Sequence, residues 1–268
     1  HIMNHATFKA SLFMAVGIID HETGTRDIRR LSGLRSMMPI TATLAMVASA
    51  AMAGVPLLNG FLSKEMFFTE TVFLDATPLV AFMLPIAATV AGMFSVAYSL
   101  RFTVDVFFGP PATDLPRTPH EPPHWMRVPV ELLVLVCLVV GMLPAWSVGR
   151  FLDAAARPVV GGELPAFSLA VWHGFNTPFV MSLLALGGGI AMYTALRALR
   201  AAGRVDAPPL MRHIRGRRLF DGSLAFITQV GRHGRRMLST QRLQWQMLWL
   251  VGAALVAGAL PLWSQGMQ

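Results

Sequence analysis

Several stretches of this sequence stay apolar for the roughly 20 residues that an α-helix needs to cross a hydrocarbon core of about 30 Å. They are residues 1–19, 79–108, 129–146, 176–199 and 243–263. In lipid every backbone N–H and C=O must find its partner inside the protein, so apolar runs of this length fold as helices. The composition agrees. The chain of 268 residues is 54% hydrophobic and 13% charged, with a mean hydropathy of +0.55, where a soluble domain carries about 25% charge. The expected fold is therefore all-α, a polytopic transmembrane helix bundle. A formal net charge of +8 and a pI near 11.1 could suggest a nucleic-acid partner. The arginines, however, sit at the ends of the apolar runs and in one juxtamembrane block, where they set topology and contact lipid headgroups. Neither nucleic acid nor a disulfide is expected. The single cysteine, Cys137, lies in the apolar run from Glu131 to Met142 and reads as packing.

Within that apolar background the two kinds of basic residue are partitioned. Only Lys9 and Lys64 are lysines, and the other 20 of the 22 basic residues are arginines, nearly all in polar loops or at span ends. Both lysines stand among apolar neighbours. A desolvated ammonium can give up its proton, whereas a guanidinium effectively cannot. A charged lysine at the bilayer centre costs roughly 2.5 to 3.5 kcal/mol on insertion scales, which makes it by default a functional candidate. His1, His5 and Lys9 are spaced i, i+4, i+8 and so stack along one face of the opening helix. The candidate proton-relay residues are Lys9, Lys64, His5 and His1. The other reading of the same lysines is structural, as partners of acids on neighbouring helices.

The punctuation of the chain supplies the rest. Asp20 to Ser36 is polar and broken by glycines, as a surface loop is. An apolar helix from Met38 to Ala53 meets Gly54-Val55-Pro56, where proline ends or breaks the hydrogen-bond ladder, and helix resumes near Asn59 with Lys64 on it. A second break falls at Asp75-Ala-Thr-Pro78. Irregular backbone at membrane depth is tolerated where it is buried in protein or lines a wet cavity, so the interruption beside Lys64 reads either as part of an ion path or as an ordinary turn between short helices. In the span from Leu79 to Phe108, Tyr98, Arg101 and Asp105 share a face, and Arg101 with Asp105 is expected to be an i, i+4 clamp. Gly109 to Val128, with six prolines and with His120 and His124, is expected to be a loop rather than a metal site. Ser147 to Phe175 is likewise expected to be a loop. Gly187-Gly-Gly189 should let helices approach closely. Between Arg197 and Arg218 seven arginines face one acid, Asp206, which points to the cytoplasmic side. Arg217 to Thr240 has one apolar and one basic face and reads as an amphipathic surface helix, seated on lipid or bracing a neighbour. The final span carries Trp245, Trp249 and Trp263 for the two interfacial belts.

Two stretches carry a resemblance. The opening Asn4-His-Ala-Thr-Phe-Lys-Ala-Ser-Leu-Phe-Met-Ala-Val-Gly17 and the later Gly54-Val-Pro-Leu-Leu-Asn-Gly-Phe-Leu-Ser-Lys-Glu65 resemble the antiporter-like subunits of the proton-pumping NADH:quinone oxidoreductase superfamily. The connecting Gly17-Ile-Ile-Asp-His-Glu-Thr-Gly-Thr-Arg-Asp-Ile-Arg-Arg-Leu-Ser-Gly-Leu34 looks most like the large, A-type subunit of Mrp-type multisubunit sodium/proton antiporters. The resemblance is tight to about Gly109 and looser beyond. It implies that residues 1–146 are the C-terminal half of an antiporter-like proton-translocation module, and that 147–268 add transmembrane helices with a lateral helix at about 217–240. It also implies a discontinuous helix carrying Lys64 as the terminal relay lysine, Lys9 as the central one, and His1 and His5 beside it. Residue 1 already lies within a helical pattern without a basic leader or cleavage site, so a longer polypeptide is expected upstream.

The implied function is that of a secondary ion transporter subunit, not an enzyme, in which these lysines and histidines relay protons in exchange for sodium. No cofactor is implied. The expected partners are other subunits of a multisubunit membrane antiporter complex, the lipid bilayer, sodium ions and protons, and the expected location is the bacterial plasma membrane. Two rivals stand beside this: a proton-pumping membrane subunit of a respiratory NADH:quinone oxidoreductase-like complex, and a structural membrane scaffold.

Overall fold

The computed structural model describes residues 1–161, 168–172, 174–203, 216–238 and 243–265. Among them there are helices and no strand: α1 (Ile2–Thr23), α2 (Pro39–Ala53), α3 (Asn59–Phe73), α4 (Pro78–Phe107), α5 (His124–Met142), α6 (Pro144–Ser147), α7 (Gly149–Val160), α8 (Thr177–Ala201), α9 (Gly216–Leu238) and α10 (Leu243–Gln265). Five of these, α1, α4, α5, α8 and the Leu243–Leu260 part of α10, are long and apolar enough to cross a membrane. The chain forms two compact units, His1–Ala201 and Ala202–Gln268.

Helix ends follow the local chemistry. Glycines in the left-handed conformation stop α1 at Gly24 (φ 73°) and α2 at Gly54 (φ 80°), where a Cβ would be strained. Prolines with preset φ start α2 at Pro39 and α4 at Pro78. Three expectations about boundaries need correction. The opening helix runs on to Thr23 rather than ending before Asp20, because Asp20 and Glu22 find partners at the helix end. The fifth helix begins at His124 and ends at Met142, earlier at both ends than the 129–146 run, and Pro129 lies inside it, beyond the first turn, where it removes one i→i−4 hydrogen bond. The stretch after Ser147 is not simply a loop. It contains α7, held by an Arg157 to Asp153 ion pair at i, i+4, and strongly two-faced, with apolar residues such as Phe151 exposed.

In the first unit the packing is built on small side chains. Ala42, Ala45, Ala48 and Ala51 of α2 are buried against Phe8, Leu12, Ala15 and Ile19 of α1 and Val130, Val134 and Cys137 of α5. Cys137 is fully buried beside Asn59, as a packing residue. Between α2 and α4 the Ser49 hydroxyl donates to the Ser99 carbonyl at 3.1 Å and accepts from Thr103 at 3.2 Å, polar links of the kind that hold helices together where hydrophobic driving force is absent. A second cluster, Phe68, Ala88, Met181 and Ala185, joins α3, α4 and α8. There the glycine run works at two of its three positions. A Cβ at Gly189 would stand 2.5 Å from the Val96 Cβ, and one at Gly188 2.8 Å from Met93, while Gly187 faces open space.

The loops at residues 24–38 and 108–123 dock on each other at one end of this unit. Arg30 donates to Asp114 O at 2.6 Å and Ala112 N–H to Ser32 O at 3.2 Å. Glu121 caps α2 from this loop: its carboxylate accepts the Ile40 and Thr41 backbone N–H groups at 3.0 Å each and the Thr41 hydroxyl at 2.6 Å. A carboxylate on the first-turn N–H groups satisfies otherwise orphaned donors and meets the positive end of the helix dipole. Glu22, 4% exposed, takes His21 Nδ1 at 3.0 Å and His120 Nδ1 at 3.2 Å on its two oxygens. His120 therefore serves as a loop tie, and no metal-holding cluster of three His, Cys, Asp or Glu occurs among the described residues. Hydrogen bonds from the Arg29 side chain and backbone hold the Asp27 carboxyl down at about 2, so that turn stays formed at ordinary pH.

In the second unit α9 displays Leu219, Phe220, Leu224, Ile227 and Val230 on its surface, all exposed, with Arg232, Arg235 and Arg236 also exposed. Helix α10 presents Trp245 and Trp249 at its start, also exposed. Residues 204–215 of the basic block, Asp206 among them, lie outside the described residues, as do Thr240 and the side chains of Arg217, Met237, Leu238 and Trp263.

A candidate proton-transfer site at the end of α2

The site forms where α2 stops. The last four carbonyls of any α-helix lack intrahelical partners, and in α2 each of the four is satisfied from outside the helix ladder. Val55 N–H donates to Ala50 O and Gly54 N–H to Ala51 O, both at 3.0 Å. Met52 O accepts the Ser95 hydroxyl at 3.2 Å, and Ala53 O accepts Lys64 Nζ at 2.7 Å. Lys64 Nζ also donates to Ser95 Oγ at 3.2 Å. The ammonium is thus held by neutral oxygens at the negative end of a helix dipole, an arrangement that favours a cation there without an acid. Helix α3 brings Lys64 back to this point because the chain turns sharply through residues 54–58. Gly54 is left-handed, and so is Leu57 at φ 69°, a strained value for a branched side chain.

Close backbone approach makes the turn possible. A Cβ on Gly54 would stand 2.6 Å from the Lys64 Cδ, one on Gly60 would collide with the Ala51 carbonyl, and one on Gly141 of α5 would stand 2.5 Å from the Leu58 carbonyl carbon. Helix α1 is tied to the start of α3 by Asn4, whose Nδ2 donates to Asn59 O at 3.0 Å and to Ser63 Oγ at 2.7 Å. Glu65, next to Lys64, is buried at 4% exposure on the adjoining face of α3.

Lys9 lies half-buried in α1, with Nζ 6.0 Å from the centre of the Tyr98 ring, at the outer limit of a cation–π contact. The Tyr98 hydroxyl is 3.2 Å from Ser95 Oγ. One face of α4 therefore stands between the two lysines. The rings of His1 and His5 are 5.7 Å apart, and His5 is edge-on to Phe8 at 5.4 Å, so the i, i+4 register of the histidines holds. Both are exposed in this chain. Lys9, Tyr98, Ser95 and Lys64 come together, and the histidines lie toward the other end of α1. Farther along α4, Arg101 pairs with Asp105 at 3.5 Å, and Tyr193 of α8 donates to Asp105 at 3.0 Å. That makes the pair a helix clamp across α4 and α8.

The residues that the sequence does not single out are Ser95 and the carbonyls of Met52 and Ala53. Ser95, Tyr98 and Ser99 are spaced i, i+3, i+4 in an apolar helix, a polar stripe that could have marked the face. The carbonyls carry no side-chain signal.

Residues 1–91 match the family described as NADH:quinone oxidoreductase/Mrp antiporter, TM. The chain is 58% identical over 98% of its length to a Rhizobium meliloti (strain 1021) protein named as the A/B-type subunit of a probable K(+)/H(+) antiporter, covering 26% of that protein. It is 39% identical over 74% of its length to the A-type subunit of the Na(+)/H(+) antiporter of Alkalihalophilus pseudofirmus, again covering 26%. Among solved structures, that of the Mrp complex from Dietzia sp. DQ12-45-1b superposes with a TM-score of 0.69 at 31% identity over 96% of this chain and 27% of that one. The chain thus spans about a quarter of the length of the relatives it matches. The family match over residues 1–91, the likeness of most of this chain to about a quarter of the A-type antiporter subunits and a shared membrane fold place it in the NADH:quinone oxidoreductase/Mrp antiporter superfamily, on the side of the large Mrp subunit.

Proposed function

We propose that this chain is the part of a multisubunit cation/proton antiporter that carries the central and terminal proton-relay lysines, working in a bacterial plasma membrane among other subunits. Lys64 and Lys9 take up and release protons, and His1 and His5 connect Lys9 toward water or a neighbouring segment. Residues 1–146 act as the C-terminal half of the translocation module, α2 and α3 serve as its discontinuous helix, and α9 is the lateral brace. The observation that carries this reading is the setting of Lys64, an ammonium caged by neutral oxygens at the end of an interrupted helix. Among the described residues the partners on Nζ are neutral oxygens and not carboxylates, which leaves the amine free to change protonation state as an ion passes.

Sodium is the exchanged cation that the name of the Alkalihalophilus pseudofirmus relative suggests. Potassium is the second reading, favoured by the name of the 58% identical relative. The test is a cation pulse applied to inside-out vesicles carrying the complete complex, with internal pH followed by a fluorescent amine. A proton efflux driven by sodium, potassium or both, without an electron donor, is expected. Lys9→Ala and Lys64→Ala should reduce it by at least about tenfold at normal subunit content. A response to neither cation, with proton movement only on electron donation, would instead support the respiratory rival.

A further inference from the structure

We propose that Ser95 and Tyr98 are the hydroxyl link through which Lys64 and Lys9 exchange protons, an inference that rests on the relay reading of the two lysines. Ser95 is the only side chain that the structure gives to Lys64 Nζ as a hydrogen-bond partner among the described residues, at 3.2 Å. It has one hydroxyl proton and two acceptors within reach, Met52 O and the Tyr98 hydroxyl oxygen, each at 3.2 Å. Both separations are longer than the roughly 2.5–3.0 Å usual for O–H···O bonds, so neither partner holds the hydroxyl tightly and rotation about the Ser95 Cβ–Oγ bond exchanges one for the other. With its O–H donated to Met52 O, Ser95 Oγ accepts from Lys64 and from Tyr98. Turned the other way, Ser95 donates to Tyr98.

The second orientation completes a path. Lys64 passes an N–H proton to Ser95 Oγ while the Ser95 O–H proton moves to the Tyr98 oxygen, and the Tyr98 O–H proton leaves toward Lys9. Each oxygen forms one O–H bond and loses one. Lys64 ends as the neutral amine, Lys9 as the ammonium, and both hydroxyls are unchanged. Nζ of Lys9 lies 6.0 Å from the Tyr98 ring centre, and its flexible four-carbon stem carries it from the ring to the hydroxyl at the rim. Reversal of the steps returns the proton, and rotation of Ser95 back to Met52 O interrupts the link. The same Met52 carbonyl is an orphan of the α2 terminus, so the break in the helix supplies the resting partner for the switch as well as the seat for Lys64.

The test uses the complete complex in inside-out vesicles with Ser95→Ala, Ser95→Thr and Tyr98→Phe, the lysine variants being run in parallel. Turnover and the half-saturating cation concentration are read separately, and subunit content is blotted. Ser95→Ala and Tyr98→Phe should lower turnover by at least about tenfold with half-saturation unchanged. Ser95→Thr, which keeps the hydroxyl, should stay within about twofold of wild type. Where Ser95→Ala reduces assembly, Tyr98→Phe decides, since it leaves every Lys64 contact in place. Near wild-type turnover in Tyr98→Phe alongside inactive lysine variants would overturn the link and leave the relay reading standing. Active lysine variants would overturn both. A Ser95→Thr variant as slow as Ser95→Ala would assign the loss to packing and overturn the link.

Discussion

Gly54 shows how one position can fix both a helix end and the seat of a buried lysine. Its φ of 80° is costly for any residue with a Cβ, and the Cβ itself would meet the Lys64 stem at 2.6 Å. Gly54→Ala should therefore displace the lysine from Ala53 O and cost roughly 1 to 2 kcal/mol in backbone strain alone. The expected result is a complex that assembles but exchanges protons at least several-fold more slowly, read in the vesicle assay beside a thermal melt. Glu121 is a residue of the opposite kind, far from the lysines and purely supportive. Glu121→Ala leaves the first N–H groups of α2 without their acceptor, and a loss of about 1 to 2 kcal/mol is expected, seen as a lower melting temperature with per-complex turnover intact. The lysines themselves were legible in the sequence because only two exist, and because apolar neighbours surround both. Their cage was not. Main-chain carbonyls leave no mark in a residue string, and Ser95 is one of many serines in apolar helices, distinguished only by where α2 happens to end.

The proposed relay rests on the α2–α3 pair, and proline and glycine at 54–56 announce the break between the two helices plainly. What the sequence could not give is the path of the turn, because the left-handed Leu57 is not a residue type that signals such a conformation. The stop of α2 at Gly54 and the start of α4 at Pro78 were readable for the same chemical reason that they work. The added length of α1 and the helix α7 were not, since both depend on partners: His120 and Arg117 at the end of α1, and the Arg157 to Asp153 pair within α7. The glycine run of α8 told of close packing but not of its partner, which is the Met93 to Val96 stretch of α4. Gly189→Leu should separate those two helices and weaken the α4 face that carries Ser95 and Tyr98, whereas Gly187→Leu, with open space around it, should be tolerated. Recovery of intact complex after detergent extraction distinguishes the two. In α9 the exposed Leu224 and Ile227 are expected to be covered by membrane or a neighbouring protein. Leu224→Asp with Ile227→Asp should loosen assembly, and unchanged recovery of the complex would count against a bracing role.

Across the whole chain, the docking of the 24–38 loop on the 108–123 loop puts the C-terminal end of α1, the start of α2, the end of α4 and the start of α5 on one side. The arginines from 197 to 218 are expected to be cytoplasmic, and alternation through α8 and α5 then places the docked loops in the cytoplasm and residues 149–175 outside. Single cysteines in these loops, labelled from one side of sealed vesicles, should follow that pattern, and outside labelling of the 197–218 block would reverse it. The central claim, however, is that the two lysines carry protons rather than merely hold helices together, and arginine separates those roles. It keeps the charge and most of the length, and it does not release its proton at any working pH. The decisive measurement is cation-driven proton exchange by complete complexes bearing Lys9→Arg or Lys64→Arg, normalised to subunit content. Proton relay predicts complexes that assemble at wild-type levels and exchange no protons. Near-normal exchange by both arginine variants would contradict it.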